Sequence, residues 1–258
     1  MARVISLCAG TVLPVGPART INIAAAAGYT HVGLRIDPST TDPKDWAGLR
    51  RRADDLGVAI FDTEVVRLGL TPRDHIEQLI HAAAVLGARW LLTVSHHDDP
   101  SVTTDDLAWM TARCTSLSAA LRPALEFMGF TAVRTIDDAA AVISHTGAGI
   151  VMDALHLFRT GATADDVSRV MAAPDAPSAY LQLCDTSVAD IAAEDLADEA
   201  RHHREIPGTG LLPLAALLAA VPEDTAVAVE VQSDSLLDRM GPQAMAAACR
   251  SAIGRLLS

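Results

Sequence analysis

The segment TPRDHIEQLIHAAAVLGARWLLTVSHH, residues 71–97, decides the fold. After Thr71-Pro72, the residues Ile76, Leu79, Ile80, Ala83 and Leu86 fall on one helical face. Gly87 stops that face, as a glycine does past a helix end. Residues 88–95 then read as the strand that follows. The run ends on the polar group Ser95-His96-His97.

The same unit recurs in both directions. Towards the N-terminus, apolar runs at 4–11, 29–37 and 58–68 alternate with helical patterns at 17–28 and from Asp42-Pro43 to Gly57. Towards the C-terminus, strands are expected at 123–128, 149–155, 179–184 and 225–231. Helices are expected at 104–119, 136–145, 163–172, 211–220 and 242–257. The helix at 163 opens with Thr163-Ala164-Asp165-Asp166, which resembles a capping box. Eight strands alternating with eight helices in 258 residues predict an α/β fold, the (β/α)8 TIM barrel, as one domain over 1–258. A doubly wound sheet would place a glycine-rich phosphate turn after its first strand. Cys8-Ala9-Gly10-Thr11-Val12-Leu13-Pro14 is no such turn.

Composition removes several classes of function. Half of the residues are hydrophobic, which excludes a disordered chain. Mean hydropathy is +0.26, yet no run of about 18 apolar residues occurs, so no membrane span is expected. A net charge of −12 without a concentrated basic patch argues against nucleic acid as partner. Lys44 is the only lysine and lies where a loop enters a helix, so Schiff-base chemistry is not expected. Cys8, Cys114, Cys184 and Cys249 form no C-x-x-C pair, and the N-terminus runs directly into a strand pattern. A reducing cytoplasm is the expected location.

In a barrel the carboxyl ends of the strands surround the active site. Here those ends are acidic: Glu64 on strand 3, Glu126 on strand 5, Asp153 on strand 6 and Glu230 on strand 8. Glu126, Asp153 and Glu230 are each flanked by residues that should be buried, where a lone carboxylate is costly. One such acid would read as a helix cap or an ion-pair partner. Four donors at the same place on consecutive strands, with Gln182 on strand 7, read instead as ligands of one divalent metal ion. Oxygen donors suit Mn²⁺ or Mg²⁺, and the set could accept Co²⁺ or Zn²⁺.

These residues resemble the xylose-isomerase-like barrel superfamily of sugar phosphate isomerases and epimerases. The specific part is Glu126, Asp153-x-x-His156, Gln182 and Glu230 in strand order. The resemblance implies that these four donors bind one metal, as in ketose 3-epimerases, hydroxypyruvate isomerases, inosose dehydratases and 3-dehydroshikimate dehydratases. Glutamine on strand 7 is closer to the hydroxypyruvate isomerase and dehydratase pattern. Arg204-x-x-Pro207-Gly208-x-Gly210 resembles a loop in which the arginine contacts substrate; Thr209 stands where Glu is common.

A metal on two adjacent oxygens of a hydroxy-ketone acidifies the neighbouring C–H and stabilises an enediolate. Returning the proton to the same carbon epimerises, and returning it to the neighbouring carbon isomerises. Losing a β-hydroxyl dehydrates. By resemblance to the epimerases, Glu126 and Glu230 double as the acid/base pair. His156, three residues after Asp153, is expected to leave the strand into a loop and contact a substrate oxygen. Arg204 would anchor an anionic or polyhydroxyl substrate through its guanidinium fork, and Arg35 is a weaker candidate for the same role. Glu64 and His96 are expected to line the substrate pocket.

Three functions follow. One is a metal-dependent isomerase or epimerase of a small sugar, sugar phosphate or hydroxy-keto acid. Another is a dehydratase of a cyclic keto-polyol, of the inosose or 3-dehydroshikimate type. The third is a non-catalytic ligand-binding barrel. An endonuclease of the same superfamily would need a His-rich multi-zinc cluster and a basic groove, against which the charge argues. The resemblance and the alanine-rich helices permit a homodimer or homotetramer.

Overall fold

Eight parallel strands close on themselves, β1 pairing with β8, in the computed structural model, which describes residues 3–174 and 176–258. The strands are β1 (Ile5–Leu7), β2 (His31–Arg35), β3 (Ala59–Leu68), β4 (Trp90–Ser95), β5 (Arg122–Glu126), β6 (Gly149–Asp153), β7 (Ala179–Leu183) and β8 (Ala226–Val229). The helices are α1 (Pro17–Ala26), α2 (Pro43–Asp55), α3 (Arg73–Leu86), α4 (Pro100–Leu117), α5 (Ile136–Ile143), α6 (Ala154–Arg159), α7 (Ala164–Met171), α8 (Leu196–His202), α9 (Leu214–Ala219) and α10 (Asp234–Leu256). The chain is thus a (β/α)8 barrel, as its alternation predicts.

Local chemistry explains the boundaries. Gly87 ends α3 in the left-handed region, at φ 72°, where a side chain would be strained. Asp42 and Asp99 cap α2 and α4 with side-chain oxygens, each ahead of a proline at the first helical position. Thr135 with Asp138, and Thr163 with Asp166, form reciprocal capping boxes on α5 and α7.

Three helices depart from the sequence pattern. Residues 154–159 turn into α6 immediately after Asp153, whose own carboxylate caps the new helix. The polar stretch 196–202 forms α8. The last helix begins at Asp234 rather than Pro242, with Gly241 (φ 74°) breaking it just before that proline.

Strand parity divides the residues into two layers. One set faces the helices and forms the main core. The other fills the lumen with Cys8, Phe61, Trp90, Leu92, Ala124, Val151, Tyr180 and Ala228. Phe61 meets Tyr180 edge-to-face at 5.1 Å. The lumen is therefore a packed plug. Residues one step further along the strands stand above it, at the carboxyl-end mouth. No helix among the described residues is long and apolar enough to cross a membrane. The four cysteines are free and buried.

Candidate functional site

Glu126 closes β5, Asp153 closes β6, Gln182 lies in β7 and Glu230 follows β8 directly. Each sits two residues beyond a plug residue: Ala124, Val151, Tyr180 and Ala228. The same period of two that buries the plug thus aims these four polar side chains inward above it. Register supports this placement, since Asp153 pairs with Gln182, while Glu126 pairs with Val151 and Gln182 with Ala228.

Glu126, Asp153 and Glu230 are buried, and their carboxylate oxygens lie within 4.8 Å of one another. Their charges are handled differently. Asp153 Oδ1 accepts the amides of Leu155 (2.8 Å) and His156 (3.0 Å). Asp153 Oδ2 accepts Arg204 Nη1 at 2.6 Å. Burial pushes this carboxyl up, but Arg204, His156 and the amide bond together hold it below its ordinary value. Burial pushes Glu230 up to about 7, with Glu64 and Asp153 adding to the rise and Arg204 opposing it. Glu126 is held well above the usual carboxylate range by burial and then by Glu230 and Asp153. One acid is ionised outright and two retain protons readily.

Gln182 is buried and its Oε1 has no hydrogen-bond partner. Its Nε2 faces Cys8 Sγ at 3.7 Å. An acceptor left bare beside an acidic cluster is a missing donor or a missing ion.

His156 lies in the first turn of α6 and not in a loop. It is buried, with Nε2 3.6 Å from Glu126 Oε1 and its ring 5.7 Å from Phe130. Burial lowers its pKa to about 4, against the pull of Asp153, so the imidazole is neutral at physiological pH. Arg204 is 2% exposed. Its guanidinium is committed to Asp153, to the Glu230 carbonyl (3.2 Å) and to Ala200 O (2.7 Å), with Glu230 Oε2 3.4 Å away. It neutralises the acids before it meets any substrate.

Arg35 and Glu64 pair with each other at 2.9 Å. Glu64 Oε1 also accepts the amide of Gly10 at 3.1 Å. Gly10 passes so close to the site that a Cβ there would stand 2.7 Å from Glu230 Oε1. Arg35, Glu64, Glu126, His156, Arg204 and Glu230 all line one mouth cavity of about 410 Å³, as does His96.

Four features lie outside the site residues expected from sequence, although Asp62 and Asp185 are legible as acids at the ends of strands 3 and 7. Asp62 is buried, with Oδ2 unpartnered, and burial with Glu64 and Glu230 pushes it well above the carboxylate range. Asp185 pins the loop after β7 by accepting the amides of Thr186, Gly208 and Leu212. A buried ion pair, Arg159 with Glu199, ties α6 to α8. Arg67, Phe130 and Arg201 line the cavity rim. Of these, only the acid in the apolar run of β3 and the aspartate just after β7 carry a legible signal.

The family profile described as xylose isomerase-like TIM barrel matches residues 21–252. No curated protein sequence matches the chain. Among solved structures, a xylose isomerase-like TIM barrel/4-hydroxyphenylpyruvate dioxygenase fusion protein is similar at TM-score 0.81 and 19% identity. The match covers 99% of this chain and 43% of the fusion protein, so the chain spans less than half of its length. The IolI protein with a bound zinc atom is similar at TM-score 0.83 and 15% identity, over 98% of both chains. D-psicose 3-epimerase, in a crystal structure obtained in the presence of D-fructose, is similar at TM-score 0.71 and 13% identity, over 98% of this chain and 99% of its own. At these identities the likeness establishes the fold.

Proposed function

Because the chain belongs to the xylose isomerase-like TIM barrel family, we propose that it is a divalent-metal-dependent isomerase or epimerase of a small sugar, sugar phosphate or hydroxy-keto acid. The observation that carries this reading is the trio of buried carboxylates with oxygens within 4.8 Å of one another. Glu126, Asp153, Gln182 and Glu230 would hold the ion. The fit is supported by the unpartnered Gln182 Oε1 and by the mutual repulsion that leaves Glu126 and Glu230 short of positive charge. Hard oxygen donors favour Mn²⁺ or Mg²⁺, with Co²⁺ and Zn²⁺ compatible. When bound, the ion polarises a hydroxy-ketone carbonyl and acidifies the neighbouring C–H.

The protein groups supply the proton traffic. Glu126 and Glu230 reach the mouth from strands three apart around the ring. One takes the proton from carbon, and the pair returns it to the same carbon or to its neighbour. The neutral His156 hydrogen-bonds a substrate oxygen without adding charge. Arg204 keeps Asp153 ionised and fixed in place. Phe130, Met128 and Leu237 wall the cavity and limit water.

A dehydratase of a cyclic keto-polyol is the second reading. Proton abstraction would be the same, followed by loss of a β-hydroxyl. Gln182 in the strand-7 position fits this reading and the hydroxypyruvate isomerase pattern alike.

The test is solvent exchange. Mn²⁺-loaded protein in D₂O, incubated with a panel of ketoses, hydroxy-keto acids and cyclic keto-polyols, should place deuterium beside the carbonyl of at least one compound. Glu230→Gln should abolish the exchange while the protein stays folded. The product then separates isomerase from dehydratase. Failure to bind Mn²⁺, together with no exchange into any compound, would sink both readings and leave a ligand-binding barrel.

A further inference from the structure

Four arginines line the mouth cavity: Arg35, Arg67, Arg201 and Arg204. Two of them are neutralised. Arg35 pairs with Glu64 at 2.9 Å, and Arg204 with Asp153 at 2.6 Å. The side chains of Arg67 and Arg201 have no hydrogen bond and no ion pair among the described residues. His202, next to Arg201 on α8, is already engaged with Asp234 at 3.0 Å.

The two free guanidiniums come from separate elements. Arg67 lies near the end of β3, level with Val94 of β4, and Val94 lines the same cavity. Arg201 lies at the end of α8, with its guanidinium carbon 5.6 Å from the centre of the Phe130 ring. The other neighbour of Phe130 is His156, at 5.7 Å. Phe130 and His156 thus lie between Arg201 and Glu126 of the acidic floor. The cations also sense one another. Burial and then the charges of Arg35 and Arg201 lower the pKa of Arg67. His96 is lowered by burial and then by Arg67 and Arg201.

A cationic rim above an acidic floor is a polarised cavity. An anion is attracted by the cationic rim, while a neutral hydroxy-ketone end suits the floor of carboxyl groups. A guanidinium engages an oxyanion through two parallel N–H donors, and a pair of them makes a clamp. Free like charges held together at a cavity mouth repel until such a ligand arrives.

We infer that Arg67 and Arg201 form an oxyanion clamp, so that the substrate is a small hydroxy-ketone bearing a phosphate or carboxylate at the end remote from the acids. The inference rests on the proposed metal-dependent reading for the orientation of the substrate, and not for the clamp itself. Arg204, the arginine singled out by sequence, is thereby assigned to holding Asp153 rather than to gripping the anion.

The clamp is tested by titration calorimetry on the full chain at low ionic strength, metal-free and Mn²⁺-loaded. Inorganic phosphate and succinate are the two probes. Wild type should bind at least one of them. Arg67→Gln and Arg201→Gln should each weaken binding about threefold or more, and the double variant about tenfold or more, with Mn²⁺ affinity unchanged. Both side chains are exposed, so the variants should fold. Tighter phosphate binding assigns a phosphorylated substrate, and tighter succinate binding a carboxylate. The clamp is overturned if wild type binds neither probe, or if the double variant binds them as well as wild type does. If wild type binds no Mn²⁺ but binds a probe through these two arginines, the metal-dependent reading falls and the clamp stands.

Discussion

Replacing Glu230 by glutamine should strengthen the metal-free fold while removing its function. Glu230 is buried, and its pKa rises from the ordinary 4.5 to about 7. Between those values the folded chain binds more protons than the unfolded one, so stability falls as pH rises through that window. The destabilisation is absent below pH 4.5 and complete above about 7. The rise of about 2.5 corresponds to about 3 kcal/mol at pH 8, at about 1.4 kcal/mol for each tenfold change in acidity. A glutamine side chain has nearly the same shape as glutamate and no charge to bury, so the substitution recovers that energy. For a chain of this size this is a rise of about 6 to 12 °C in melting temperature. The assay is thermal and urea unfolding of chelator-treated wild type and Glu230→Gln at pH 4, 6 and 8. The variant should match wild type at pH 4 and exceed it progressively at pH 6 and 8. A variant less stable than wild type at pH 8, or a difference independent of pH, would refute the claim that Glu230 bears an uncompensated buried charge.

Three further outcomes follow from the same geometry. Mn²⁺ binding must displace the protons held by Glu126 and Glu230, so calorimetry in buffers of different ionisation enthalpy should show proton release, and affinity should rise by up to about tenfold per pH unit per proton below pH 7. Arg204→Met leaves Asp153 buried and unpaired, and urea unfolding at pH 7 should show a loss of about 3 to 5 kcal/mol. Gly10→Ala drives a methyl to 2.7 Å from Glu230 Oε1, so dialysis against Mn²⁺ should show weakened binding, with unfolding changed by only about 1 to 3 kcal/mol.

The barrel and the floor of the site are legible in the sequence because both depend on short periods. Strand alternation identifies Glu126, Asp153, Gln182 and Glu230 as inward residues from their neighbours alone. What is not legible depends on closure. Arg67, Phe130 and Arg201 meet only because β3, the β5–α5 loop and α8 converge at one rim. Residues 196–202 carry no apolar stripe that would announce a helix, since the segment is held by the Arg159–Glu199 pair rather than by periodicity. The sequence pattern puts His156 in a loop because Ala154 and Leu155 prolong the apolar run of β6. The backbone turns there only because the Asp153 side chain caps the next helix. Where β2 meets β3 the register shifts between Val32 and Gly33, an irregularity that no period-two reading contains.

The unequal treatment of the three acids sets an order of assembly. Asp153 has a permanent partner in Arg204, so its charge is settled as soon as the chain folds. Glu126 and Glu230 can take up protons instead. On the proposed metal-dependent reading, protons act as placeholders, and the barrel would be complete before any ion binds. Loading would then be a late exchange of protons for metal in a finished mould. A fall in pH would reverse it and free the ion without dismantling the scaffold.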